Sequence, residues 1–104
     1  MFIQQGDVLL KSVDSIPSSA KPIKADPRGL VFAEGEHTGH FHSANSNCAV
    51  IMEHENGTRY LSNSEQISIS HQEHNVVDVP VGKWEIGIVQ EYDYFLEAAR
   101  NVAD

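Results

Sequence analysis

The sequence predicts a mainly β domain: a small antiparallel β-barrel or sandwich with a short C-terminal helix. Short runs rich in Val and Ile alternate with polar residues at period two. Gly, Pro, Asn and Asp interrupt those runs every few residues, as turns require. The one helix signal is Asp93, a capping residue ahead of residues 94–102. A cupin-like roll is one member of this class. At 104 residues the chain is expected to form a single domain, 1–104, because two cores would each bury too little apolar surface.

Residues 7–13 read as a first strand, apolar at its centre. Residues 14–29 hold Pro17, Pro22 and Pro27, which argue against regular structure, so a loop is expected there. Residues 30–34 form the next strand, and Gly35 and Gly39 punctuate the segment after it. Residues 48–55 and 58–62 flank Asn56-Gly57, the preferred pair for a two-residue type I′ hairpin turn. That register sets Glu53 opposite Tyr60 and His54 opposite Arg59. Residues 67–71 alternate cleanly, residues 76–79 form another strand, and Pro80-Val81-Gly82 turns the chain into the longest one, 83–92. A core of Val, Ile, Leu, Phe and Trp84 suffices to fold without a metal staple.

Seven basic and fifteen acidic side chains give a formal charge of −8. Residues 1–33 carry four basic and three acidic groups; the remainder carries three and twelve. So acidic a chain is a poor binder of long DNA, long RNA or an anionic membrane, although a small anion can still be held in a local basic pocket. The apolar runs at 30–33 and 48–52 are far shorter than the roughly 20 residues of a membrane-spanning helix. Residues 1–7 show no basic region or cleavage pattern, so no secretory signal is expected. Cys48 is the only cysteine, which excludes an internal disulfide and fits a cytoplasmic protein. It opens an apolar strand and reads as core.

Six histidines in 104 residues carry the chemical signal. Glu34-Gly35-Glu36-His37-Thr38-Gly39-His40-Phe41-His42 is the densest segment. If extended, it projects His40 and His42 to one side and Phe41 to the other. His37 and Glu36, on the preceding turn, can fold over that side. The second cluster is His71-Gln72-Glu73-His74. On a continuous strand His71 and His74 diverge; if a turn follows His71, either can reach the first cluster. His71 on its own reads as structural, and His54, near a hairpin tip, as solvent-exposed.

Two chemistries suit such imidazoles. Two or three of His37, His40, His42 and His74, with Glu36, Glu34 or Glu53, would ligate zinc, iron, manganese or nickel. Alternatively, one neutral imidazole takes a proton while a protonated one donates to a leaving oxygen, as RNA-type phosphodiester cleavage needs. Lys21, Lys24 and Arg28 would then contact the phosphate, and Tyr92 would line the pocket mouth. No Gly-x-Ser-x-Gly elbow and no phosphate-binding glycine loop occurs.

The elements Gln5-Gly6-Asp7-Val8-Leu9, Thr38-Gly39-His40-Phe41-His42, His71-Gln72-Glu73-His74, Pro80-Val81-Gly82 and Gln90-Glu91-Tyr92 span nearly the whole chain. Together they resemble a group of small prokaryotic and phage proteins, mostly uncharacterised. That group is similar to CRISPR-associated ring nucleases and to phage counter-defence enzymes that cleave cyclic oligoadenylate messengers. The resemblance implies metal-independent cleavage by histidine and basic side chains, often in a homodimer, with His40, His42 and His74 at the matching positions.

The leading expectation is therefore a histidine-dependent phosphodiesterase acting on a cyclic nucleotide. His40 and His42 would be its acid/base pair, His37 or His74 would assist, and no cofactor is needed. A cupin-like metal protein is the second reading, and a module that sequesters a nucleotide without cutting it the third. Open strand edges make a homodimer the default partner.

Overall fold

The computed structural model describes residues 1–24, 26–35 and 39–89. It is mainly β, and every pairing is antiparallel. Among the described residues ten strands occur in chain order: β1 Phe2–Gln5, β2 Val8–Ser12, β3 Lys21–Pro22, β4 Leu30–Glu34, β5 Phe41–Ala44, β6 Ala49–Glu53, β7 Arg59–Asn63, β8 Ile67–Ile69, β9 Val77–Val79 and β10 Gly82–Ile88. Six of them form one sheet in the order β1-β2-β10-β7-β6-β3. β4 pairs with β5 and β8 with β9 as two ribbons, joined by a backbone bridge between Ser43 and Ser70.

Period-two patterning decides what faces inward. Val8 and Leu10 of β2, Ile51 of β6, Leu61 of β7 and Trp84 and Ile86 of β10 are buried on one side of the six-stranded sheet. They share a core with Phe32, Ala44, Ile67, Ile69 and Val79 from the two ribbons. Each large aliphatic or aromatic side chain so buried contributes about 1.5–3 kcal/mol. The alternate residues face out, where Glu85 stands between its neighbours Lys11 and Tyr60.

Two polar residues hold the layers together where the ladders break. A bulge at Phe32 shifts the β4–β5 register, so that Val31 faces Ser43 but Ala33 faces His42. The guanidinium of Arg59 reaches across from β7 and donates to the Val31 and Phe32 carbonyls at 2.7 and 2.9 Å. Asn63 is 3% exposed. Its amide donates to the carbonyls of Glu65 and Pro80, and its oxygen accepts from the Trp84 indole at 3.1 Å.

The hairpin at Asn56-Gly57 differs from the sequence expectation by one residue. Glu53 faces Arg59 and Met52 faces Tyr60. His54 N–H donates to the Thr58 carbonyl and Gly57 N–H to the His54 carbonyl, leaving a three-residue loop. Gly57 has φ +92° and no described non-glycine residue has positive φ. A type I′ turn would force Asn56 into that region; a type I turn closed by a left-handed glycine does not. This register leaves His54 half-buried instead of exposed.

Three further expectations are corrected. Pro22 lies in a strand: Lys21–Pro22 pairs with β6 at the sheet's outer edge, where a missing N–H costs no ladder bond. Phe2–Gln5 is a strand that the sequence reading did not mark. Cys48 is exposed, because inward alternation in β6 falls on Ile51 and the chain turns just before Ala49. The helix expected over 94–102 lies outside the described residues. Among the described residues no helix is long and apolar enough to cross a membrane.

Asn63→Ala strips the Trp84 indole of its acceptor inside the core. Equilibrium urea unfolding is expected to show a loss of about 1–3 kcal/mol with an unchanged m-value. A loss below about 0.5 kcal/mol would show that the indole needs no partner there.

Candidate functional site: a buried imidazole cluster

Three segments from distant parts of the chain build the site. In β5, alternation turns His42 and Ala44 inward and leaves Phe41 and Ser43 on the other side. His42 is therefore a core residue, 1% exposed. His40 precedes it on the same side, and its carbonyl accepts from Gly35 N–H at 2.6 Å, which closes the end of the ribbon. β8 ends at Ile69, and Ser70 exchanges both backbone hydrogen bonds with Ser43, which fixes the next residue, His71, beside His42. The following turn is tied down where Phe41 N–H donates to Gln72 Oε1 at 2.8 Å.

The third segment is the β1–β2 turn. Gln5 and Val8 are paired, so Gly6 and Asp7 form a two-residue hairpin loop with Gly6 at φ +59°. Glycine at the first central position is what a type II′ turn demands. A Cβ at Gly6 would also stand 2.7 Å from His74 Nε2 and 3.2 Å from His42 Cε1. The turn thus lets the backbone approach the rings and presents Asp7 to them.

Four imidazoles converge. The His71 ring lies 4.3 Å from that of His42, 4.6 Å from that of His74 and 5.6 Å from that of His40, and His42 and His74 are 5.9 Å apart. His42 Nδ1 is 2.7 Å from Gln5 Oε1, and its Nε2 is 3.4 Å from Asp7 Oδ1. His71 Nδ1 accepts from Glu73 N–H at 3.0 Å. His40 Nδ1 is 3.8 Å from Glu73 Oε2.

A family described as Domain of unknown function (DUF8820) matches residues 4–89. The chain belongs to the DUF8820 family. No curated protein and no solved structure matches it. The matched span of the DUF8820 domain holds every residue of the cluster, from Gln5 to His74.

Electrostatics disfavour the charged form of the two central rings of the DUF8820 site. Burial lowers the His42 pKa below its ordinary value, and His71 and His74 add to this; Asp7 opposes it. The His71 pKa is also lowered, by desolvation first and then by His74 and His40. Among the described residues, Asp7 and Glu73, both acidic, are paired with the imidazoles.

The cations that the sequence suggested are placed elsewhere. Arg28 donates to both Asp26 and Glu34 and lies 4.6 Å above the Phe41 ring, on the side of β5 opposite the imidazoles. It holds both carboxyls below the usual range. Lys21 sits on β3, at the sheet edge opposite β1. Lys24 lines a separate groove of about 570 Å³ with Ile23, Val31, Ile51 and Arg59. His37, Glu36 and Tyr92 lie outside the described residues. The sequence reading missed Gln5, Gly6 and Asp7, and read His71 as structural. A Gly-Asp pair between apolar runs is itself a hairpin signal.

A lowered folded-state pKa means that the unfolded chain takes up protons first, so native stability falls as pH drops below about 6.5. The melting temperature is expected to be flat above pH 7 and to fall between pH 6.5 and 5, before the carboxylates titrate. His71→Gln should make that slope shallower. A melting temperature that rises as the pH falls over this interval would contradict the lowered pKa values of His42 and His71.

Proposed function

We propose that this DUF8820 domain binds one first-row transition-metal ion at the imidazole cluster. The observation that carries the reading is the 3.4 Å approach of His42 Nε2 to Asp7 Oδ1. Gln5 Oε1 takes the Nδ1 hydrogen of His42, so in the neutral ring Nε2 bears a lone pair. A lone pair facing a carboxylate oxygen calls for a cation between them. Burial and the neighbouring rings disfavour a proton there, against the pull of Asp7, so a metal ion is the cation this reading places between them. Two donors on a tetrahedral zinc ion, bound at about 2.0–2.1 Å, stand roughly 3.3 Å apart. Two rings ligating the same ion have centroids roughly 5 Å apart, in the range of this cluster.

No three His, Cys, Asp or Glu side chains among the described residues are set to hold one ion as they stand. The poised pair is His42 and Asp7. Further donors would come from the neighbouring imidazoles, of which His74 is exposed and His40 and His71 are half-buried. Imidazole-rich donors suit zinc, nickel, iron or manganese over magnesium or calcium. The acidic neighbours Asp7 and Glu73 favour a cation over a phosphate.

Metal-stripped protein titrated with zinc and nickel is expected to take up one equivalent per chain. At a hundredfold excess of free ion over Kd, stability should rise by about 2.7 kcal/mol, raising the melting temperature on the order of 10 °C. Asp7→Asn and His74→Ala should each lower the affinity while leaving the metal-free fold intact. A folded protein that binds no transition metal sinks this reading.

One observation favours acid/base cleavage of a cyclic oligoadenylate-like phosphodiester as a second reading. His71 Nδ1 accepts a backbone N–H, so the neutral ring keeps its hydrogen on Nε2, whereas His42 has its Nε2 lone pair free. The two rings thus set a hydrogen-bond donor and a proton acceptor side by side, and His71 would act as the general acid in its protonated form. This reading expects product from cyclic tetra-adenylate in the presence of a chelator, abolished by His71→Ala. Tight binding without product would instead indicate a sequestering module, and the absence of both would exclude a nucleotide ligand of this type.

A further inference from the structure

We infer that Gln5 is the positioning residue of this site: it fixes the His42 tautomer, and thereby makes Nε2 the atom that meets the ion. The inference rests on the metal reading for its consequence, but its geometry stands on the amide alone.

Gln5 is 4% exposed at the end of β1. Its Nε2 donates to the Ile69 carbonyl and to the Asn75 carbonyl, both at 2.9 Å. Both amide hydrogens are thereby used. Turning the amide over would set Oε1 against two carbonyl oxygens, so its orientation is fixed by the backbone. Oε1 is left as the only atom for His42 Nδ1, at 2.7 Å, and an amide oxygen can only accept. His42 must therefore carry its hydrogen on Nδ1.

The same side chain performs a second task. Ile69 and Asn75 bracket the turn that carries His71 and His74. One amide thus holds both ends of the loop that brings these two rings, and orients the buried ring they meet. A ligand imidazole whose other nitrogen donates to a carbonyl-type oxygen is the usual outer-shell arrangement of metal sites. Leu at position 5 would occupy much of the space and provide none of the three hydrogen bonds. Without the Oε1 acceptor, the favourable choice for His42 is to move its hydrogen to Nε2 and donate to Asp7. That choice closes the gap in which the ion would sit.

The test is ¹⁵N-resolved imidazole NMR of the metal-free protein at pH 7.5, combined with zinc competition titrations. Wild-type His42 is expected to carry its hydrogen on Nδ1; a hydrogen on Nε2 overturns the inference with no variant needed. In Gln5→Leu the hydrogen should move to Nε2, and zinc affinity should fall about 10- to 100-fold. A variant that melts lower yet keeps the Nδ1–H tautomer and full affinity would show Gln5 to be a structural residue only, and would overturn the inference. If Gln5→Leu does not fold, Gln5→Met keeps a flexible chain of similar length without the acceptor and is read the same way. If wild-type protein binds no zinc, the metal reading fails while the tautomer still decides the role of Gln5.

Discussion

An imidazole inside a β core needs a partner for its N–H, because a buried polar atom without one costs as much as a core side chain contributes. That constraint organises one end of this molecule. His42 takes a place on β5 that alternation would give to Val or Ile. Its Nδ1 is answered by Gln5, which is held in turn by two carbonyls of the β8–β9 region. The six-stranded sheet and the two ribbons are thereby joined through side chains where no continuous ladder connects them. Arg59 does the same at the bulge in β4, and Asn63 at the turn before β10.

The distribution of charge follows from this layout. β1, with the Gln5–Asp7 turn, is one edge of the large sheet, and β3, with Lys21, is the other. Arg28 is consumed by Asp26 and Glu34. The histidines therefore meet carboxylates where the sequence alone suggested cations. Folding has separated two groups that are near neighbours in the chain, since Arg28 and His42 stand on opposite sides of one two-stranded ribbon.

Much of the fold was legible because period-two patterning is a local signal: residues 30–34 and 67–69 declare their strands without any tertiary information. The His40 and His42 pairing was legible for the same reason. The convergence of His71 and His74 on them was legible only as a condition, a turn after His71, since it depends on where β8 ends and on a backbone bridge between Ser43 and Ser70, which no local pattern encodes. The hairpin register failed on a choice between two turns that Asn-Gly serves equally well. Cys48 was misread because an apolar run does not state which member begins the inward alternation. Gln5 stands in an element that carries the resemblance, but its role at the site was not legible, because that role lies in partners more than thirty residues away.

Trp84 is the only indole in the chain, and it donates to Asn63 in the core. The molecule consequently carries a single built-in optical gauge, located in one layer and reporting on its packing. Its emission will follow global unfolding faithfully. It sits two strands in from the β1 edge that carries the Gln5–Asp7 turn, so a change in its emission on ligand binding would report that events among the rings reach the shared core.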